Sequence, residues 1–463
     1  MMNLRRLQLA RTFSRITKSG VRDGGYILLT VLVAAVILSA LGASAAQVLL
    51  NNERFTQFNV RQDRALDVAE AGINYYLWHL SHNPSDYTDG HTPTPPTSPY
   101  GPYVHSYYDN NNVLQGTYTL YITPPVNGST VTTVRSVGQV PNLTGGRTIL
   151  AQLGQPSFSN YIFLSNSELN FSPTATTTGP VFSNIGVQFD GVNNGPVMGA
   201  KTSYIAGSTG TSKPDVWGAG GPKSQWQFPV PSIDFTAVTA NLASLQTQAQ
   251  TSSGVYLNNS RGIGFYLNLR SDGTIDVYKV TNQSSSGITK TFIRNQAAPT
   301  NGILFSTEEV WLSGTSWPGR ITIVAAKLPD SPATRRSINI IGNLTYAAKD
   351  GSAAIGLVAQ QDVFIPRYVP NVMEVDAGML AQYGSVGYDT ANGGLKSSFT
   401  LYGSLGQNAN DYGFKVPGCG SFCSGFPTTA YNFDSHLIYA PPPGFPTTGN
   451  YSVLTWREQL FSP

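Results

Sequence analysis

From Tyr26 to Leu50 the chain runs 25 residues without a charge, YILLTVLVAAVILSALGASAAQVLL. A helix of that length covers about 37 Å, more than the ~30 Å hydrocarbon core of a bilayer. Between Asn51 and Leu80 the pattern changes. Ala65, Val68, Ala69, Gly72, Ile73, Tyr76, Leu77 and Leu80 recur at steps of three and four, while Arg61, Asp63, Arg64, Asp67 and Glu70 fill the other positions. That spacing puts one small-and-apolar stripe on a helix. One rod over residues 26–80 is predicted, its inner half facing lipid and its outer half packed on protein. Residues 81–115 turn to Asn, Asp, Pro and Tyr, with Pro93-Thr94-Pro95-Pro96-Thr97-Ser98-Pro99 at their centre, and read as a loop or linker. Short alternating runs at 117–122, 131–140 and 147–153, divided by Pro124-Pro125 and Gly145-Gly146, predict a small antiparallel sheet over 116–154.

From residue 155 to 463 the text becomes short apolar runs separated by Gly, Asn, Ser and Thr. Candidate strands near Ile321, Ile338, Leu357 and Val375 recur at steps of 17, 19 and 18 residues, and one near Leu401 follows after 26. Such steps suit the coils of a parallel β-helix or solenoid, each burying its apolar positions against its neighbours. Val181 to Val187 and Val197 to Ile205 fit the same stack, and a β-sandwich is the alternative. One stretch breaks the pattern: residues 232–250, SIDFTAVTANLASLQTQAQ, place Val238, Leu242 and Leu245 on one helical face, with Ser232 or Asp234 as cap. Strand-like runs at 255–257, 264–269 and 274–280 follow it, so 223–300 reads as a small α/β insertion. The closing Trp456-Arg457-Glu458 reads as an end that caps the stack. The fold class expected is mainly β with a long N-terminal α-helix.

Composition adds compartment and charge. The chain has 463 residues, 40% hydrophobic and 11% charged, with 47 Gly and 30 Pro, a globular composition rich in turns. Net charge is +3, but residues 1–25 hold Arg5, Arg6, Arg11, Arg15, Lys18 and Arg22 against Asp23 alone, which leaves a body of −2. Basic residues before an apolar span stay in the cytoplasm, so everything after Leu50 is expected outside. A nearly neutral exterior without Lys/Arg clusters excludes a nucleic-acid partner.

Candidate chemistry is sparse. Cys419 and Cys423 are the two cysteines and lie in a Gly/Ser-rich stretch, which suits a disulfide or two idle thiols. The histidines His79, His82, His91, His105 and His436 show no ligand spacing with them, so no metal or cofactor is expected. Parallel β-helices can carry glycan-cleaving carboxylate pairs, but Glu308-Glu309, Asp376, Asp389, Asp411 and Asp434 are scattered, and adjacent strand residues face opposite ways. His436 beside Asp434 is a weak pair. No nucleophile elbow, HExxH helix, phosphate loop or calcium loop appears, and an enzyme is not expected. Tyr100, Tyr103, Tyr107, Tyr108, Trp217 and Trp226 offer aromatic surface for a surface or glycan ligand, although aromatics more often fill β cores.

Gly24-Gly25-Tyr26, followed at once by the apolar helix, resembles a type IV prepilin leader, which implies cleavage by a prepilin peptidase between Gly25 and Tyr26. The stretch from Gln62 to Ile73, with Ala69-Glu70-Ala71-Gly72 inside it, is similar to the end of that helix in PilX-type minor pilins. Most major pilins begin with Phe and carry Glu four residues later, where this chain has Tyr26 and Thr30, so the resemblance points to a minor or tip subunit rather than a bulk one. It implies a single-pass protein of the cytoplasmic membrane with its C-terminal domain extracellular, and as partners the peptidase, the pilus assembly machinery, other pilins and membrane lipid. Residues 355–366 and 439–446 resemble a poorly characterised extracellular domain found behind PilX-like amino termini, which implies no activity. The rivals are a stationary membrane-anchored adhesin or envelope protein and an exported carbohydrate-active enzyme; Ala43-Ser44-Ala45 could also serve as a secretory cleavage site.

Overall fold

The computed structural model describes residues 24–92, 98–125, 130–389, 394–409, 413–418 and 421–459. Its first element is one uninterrupted helix, α1 (Gly24–His82). No proline interrupts it, and Asn83-Pro84 stops it, because the residue before a proline is driven out of helical geometry. Up to Val60 every described side chain of α1 is exposed, Tyr26 and Leu28 each at 74%. From Arg61 onward the predicted stripe turns inward: Ala65, Val68, Ala69, Ile73, Tyr76 and Leu80 are buried in one cluster with Leu120, Ile122, Val134 and Ile149 of a sheet.

That sheet comprises β1 (Tyr100–Tyr108), β2 (Leu114–Thr123), β3 (Thr132–Gln139), β4 (Arg147–Gly154) and a fifth strand, Ser452–Gln459, paired antiparallel in that order. Two sequence expectations change here. β1 lies inside the stretch read as a 81–115 loop. Its Gly101-Pro102 and its exposed Val104, Tyr107 and Tyr108 hide the alternation, and only one side of this edge strand is paired. The Trp456-Arg457-Glu458 end does not cap the stack. It pairs with β4 at Ala151, Leu150 and Ile149, and Glu458 bonds Arg147. Residues 452–459 therefore belong to the first unit, and the β-rich body is inserted between β4 and its neighbour.

Inside that body the strands pair mainly in parallel. One ladder runs 255–257, 303–306, 320–325, 354–359, 378–381, 404–407, 163–165, 181–183, 197–199 and 226–227. The chain thus enters the stack near its middle at Phe163 and climbs to Trp226 at one end. Helix α2 (Ala237–Ala249) then leads to the opposite end at Val255, and the remaining coils return to meet the starting one at Leu405↔Phe163 and Gln407↔Ser165. Parallel pairing of this kind separates the fold from the antiparallel sandwich. The strands Val255–Leu257 and Gly264–Leu269, read as part of a separate α/β insertion, are the terminal rungs of the same ladders; the hairpin Thr274–Ser284/Gly287–Ala297 extends from them.

The ladder is buried on both faces, which explains apolar runs such as Ala354–Ala359 that do not alternate with polar residues. Leu304, Ile323, Leu357, Met379 and Val181 point into the coil interior. Ile303, Phe305, Val324, Val358, Leu380, Leu164 and Phe182 point the other way, under Val238, Leu242, Leu245 and Phe445. Helix α2 therefore packs on the end of the stack formed by 255–257 and 303–306, and the segment before it crosses the other half, with Val230 N donating to Gly199 O and Ile233 O accepting from Asn184. Its expected cap is displaced: Thr236 precedes the helix without a side-chain cap, and Asp234 accepts from Thr236 N and Oγ1 one turn earlier.

Candidate functional site

Gly25 and Tyr26 lie in the first turn of α1, and residues 1–23 lie outside the described residues. The apolar inner half of the helix exposes its whole circumference. It is long and apolar enough to cross a membrane, and a helix hydrophobic all round requires lipid or other protein around it.

The Ala69-Glu70-Ala71-Gly72 motif sits where the helix changes surroundings. Ala69 is fully buried, and a Cβ placed on Gly138 of β3 would meet its backbone Cα at 3.1 Å and overlap Ala65 O. A Cβ on Gly72 would meet the Tyr118 ring at 2.9 Å and overlap Ser136 Oγ. The small residues thus let the helix backbone lie directly on β2 and β3, while Glu70, between them, stays half-buried.

A clamp at the far end of α1 has no counterpart in the sequence reading. The Asp86 carboxylate accepts from Thr88 N, Thr88 Oγ1 and Gly90 N at 2.9, 3.0 and 2.8 Å, and meets His79 Nε2 at 3.0 Å. Although burial pushes Asp86 up, these donors from Thr88, Gly90 and His79 bring it below the ordinary carboxylate range. Asp89, in the left-handed region at φ 52°, accepts from Tyr75 O–H at 3.1 Å and pairs with His105 Nε2 of β1 at 2.6 Å. Burial and then Asp89 push the Tyr75 hydroxyl up to about 12. The Asp-x-x-Asp spacing just after a helix-stopping Asn-Pro is the signal that could have pointed to it.

The scattered carboxylates fall into three places. Glu308 accepts from Ser260 N and Glu309 from Ser337 N, so the adjacent pair does serve opposite neighbours. Burial pushes Glu309 up to about 7 and raises Asp362, which accepts from Ser385 N. Asp389 meets Arg367 at 3.0 Å. Asp376 and Asp434, far apart in sequence, come together through Tyr402. Asp376 is the ladder partner of Tyr402, and Tyr402 O–H donates to Asp434 Oδ1 at 3.2 Å. Lys349 Nζ bridges Glu374 and Asp376 at 2.7 and 3.0 Å, and Tyr346 N donates to Asp376. Asp434 also accepts from His436 N and lies 2.9 Å from His436 Nδ1. Burial raises Asp376, opposed by Lys349 and Tyr346 N–H. Asp376 Oδ2 and Asp434 Oδ1 thus each accept from a residue far away in sequence, Tyr346 N and Tyr402 O–H. Asp411 lies outside the described residues.

Cys423 lies in the strand Ser421–Gly425 and is disulfide-bonded; Cys419 lies outside the described residues. Among the aromatics, Tyr103 is buried, Tyr107 and Tyr108 are exposed at the β1 edge, and Trp217 Nε1 donates to the Tyr204 hydroxyl beneath Lys213. Trp226 lies under Lys223. Among the described residues no cluster of three or more His, Cys, Asp and Glu is placed to hold a metal.

No family model matches the chain, and no curated protein matches it. Among solved structures, that of the competence-associated pilin ComZ from Thermus thermophilus aligns over 86% of this chain and 98% of its own, at 15% identity and a TM-score of 0.27. A superposition that loose carries no weight for fold or role, which rest on this chain's own residues.

Proposed function

We propose that the protein is a membrane-anchored, pilin-like structural subunit that carries its inserted β stack outside the cell, as a minor subunit at a filament tip with a role in assembly or adhesion. The observation that carries the reading is α1 itself. One helix without a break is bare and apolar from Tyr26 to Leu50, and is then seated by small residues on a five-stranded sheet. A plain anchor needs a span, whereas a helix continued rigidly into a sheet also fixes the body relative to the span, which suits a subunit that must pack its apolar half against neighbours. The basic residues of 1–25 favour retention of that end inside.

The test is the mature amino terminus of membrane-extracted protein, by mass spectrometry, in cells with and without prepilin peptidase. A terminus at Tyr26 that depends on the peptidase is the expected result, and Gly25→Val should block it. An intact Met1 would leave a stationary anchor, and a terminus near Ala46 would remove the pilin reading.

A further inference from the structure

The terminal rung of the stack, where α2 delivers the chain, carries a concavity of about 440 Å³ lined by Tyr256, the loop 258–260, Phe265, Lys279 and Arg294. Its geometry follows from strand register. Lys279 stands between Phe265 on one neighbour and Thr291 on the other, and cross-strand partners share a face. Val277, two residues away and so on the same face, pairs with Arg294, and a bulge takes up Ile293 between them. The two cations are therefore neighbours on a mostly polar wall.

The lining holds no carboxylate. Glu308, beside the lining residue Ser260, accepts from Ser260 N–H at 3.1 and 3.2 Å. Lys279 has no ion pair among the described residues, and Arg294 gives only Nε to Gln296, at 2.7 Å. The Asn258 and Asn259 side chains present exposed amides, and Asn259 and Arg261 both sit in the left-handed region, at φ 54° and 58°.

We propose that this concavity binds an acidic polysaccharide. A sugar carboxylate pairs with Lys279 and Arg294, and ring hydroxyls meet the exposed amides of Asn258 and Asn259. A phosphate polymer would need a track of cations to displace its counterions, and here there are two on a body of net −2. The site depends on the anchoring reading only for its display outside the cell, and binding can be measured whatever the mature amino terminus proves to be.

Full-length protein in detergent is titrated by calorimetry with alginate, pectate and hyaluronate oligomers, with carboxyl-reduced alginate, and with a single-stranded DNA oligonucleotide. At least one polyuronate should bind, weakening with salt, and the carboxyl-reduced polymer should not. Lys279→Gln and Arg294→Gln should each weaken binding roughly tenfold or more, with Lys213→Gln on the other half-stack unchanged and circular dichroism unaltered in all three. Binding to no polyuronate, equal binding of the carboxyl-reduced polymer, indifference to both substitutions, or tighter binding of the oligonucleotide each overturns the proposal.

Discussion

Gly72→Ala separates helix propensity from packing in one substitution. In a helix interior, replacing Gly by Ala gains about 1 kcal/mol from backbone entropy. At Gly72 the new methyl would stand 2.9 Å from the Tyr118 ring and overlap Ser136 Oγ, and overpacking of this kind costs roughly 1–3 kcal/mol. The sum is a net loss of about 0–2 kcal/mol. Ser136→Ala is the partner variant. Its hydroxyl is buried without a hydrogen-bond partner, so deleting it should be neutral or stabilise by up to about 1 kcal/mol. In the double variant the Oγ overlap is gone, and the loss from Gly72→Ala should shrink by about 1 kcal/mol, a coupling that distant sites do not show. Gly42→Ala is the control in the same helix, with nothing within 4 Å of its added Cβ. Amide hydrogen exchange over residues 65–80 and 132–139 of the detergent-solubilised chain reads the result, because 1.4 kcal/mol of local stability is about tenfold in exchange rate. Faster exchange in Gly72→Ala, rescued by Ser136→Ala, is expected. If Gly72→Ala slows exchange as a propensity gain would, the close helix–sheet approach is refuted.

Two further outcomes follow from buried polar groups. Glu309, raised to about 7 by burial from 4.5, binds more protons folded than unfolded, so its contribution to stability is greatest below pH 4.5 and is lost as pH rises through about 7. The whole effect is at most ~3 kcal/mol. Glu309→Gln keeps an acceptor for Ser337 N and should flatten that part of the curve in denaturant titrations from pH 4 to 8; an unchanged slope would contradict the burial. Arg320 donates to Gly351 O, Ala440 O and Pro441 O, so Arg320→Met should free the 439–451 strap and speed its cleavage in limited proteolysis while leaving the Ser452–Gln459 strand in place.

Most of the element order was legible, because it rests on local periodicity. The helix read as 26–80 is Gly24–His82, and the strands near Ile321, Ile338, Leu357, Val375 and Leu401 all occur. What the text concealed is connection across distance. Nothing local tells Trp456 that its partner is Ala151, or Leu405 that it will lie beside Phe163. Across the seam between the half-stacks Asn166 donates to Asn408 at 2.7 Å, and Asn184 of the next coil donates to Asn166 at 2.8 Å, residues that in sequence look like ordinary loop asparagines. Asp376 and Asp434 looked scattered for the same reason: a coil of a parallel stack returns to the same place only after a variable number of residues.

That long-range pairing gives the strongest test of the architecture. The β body leaves the first sheet after Gly154 and returns at Ser452, and these two residues are direct ladder partners. The crossing segments also hold each other, with Thr448 N donating to Pro156 O at 2.9 Å and Phe158 N to Pro446 O at 3.0 Å. Antiparallel partners at a sheet end lie about 5 Å apart, a gap that a two-residue Asn-Gly turn spans. Replacing residues 155–451 by Asn-Gly should therefore leave a helix-plus-sheet unit in which β4 still pairs with Ser452–Gln459. Its buried set of Ala65, Val68, Ile73, Leu120, Val134 and Ile149 loses from the replaced segment the half-buried Tyr451, whose O–H donates to Pro84 O at 2.8 Å. The reverse change, ending the chain before Ser452, keeps the stack but strips β4 of its partner and Arg147 of Glu458, so the sheet, not the stack, should lose protection in hydrogen exchange. A minimal hairpin variant that fails to fold would mean that the stack is needed to build its own anchor. A folded one would mean that the stack is cargo held at two adjacent points, exchangeable without disturbing the helix-plus-sheet unit that carries it.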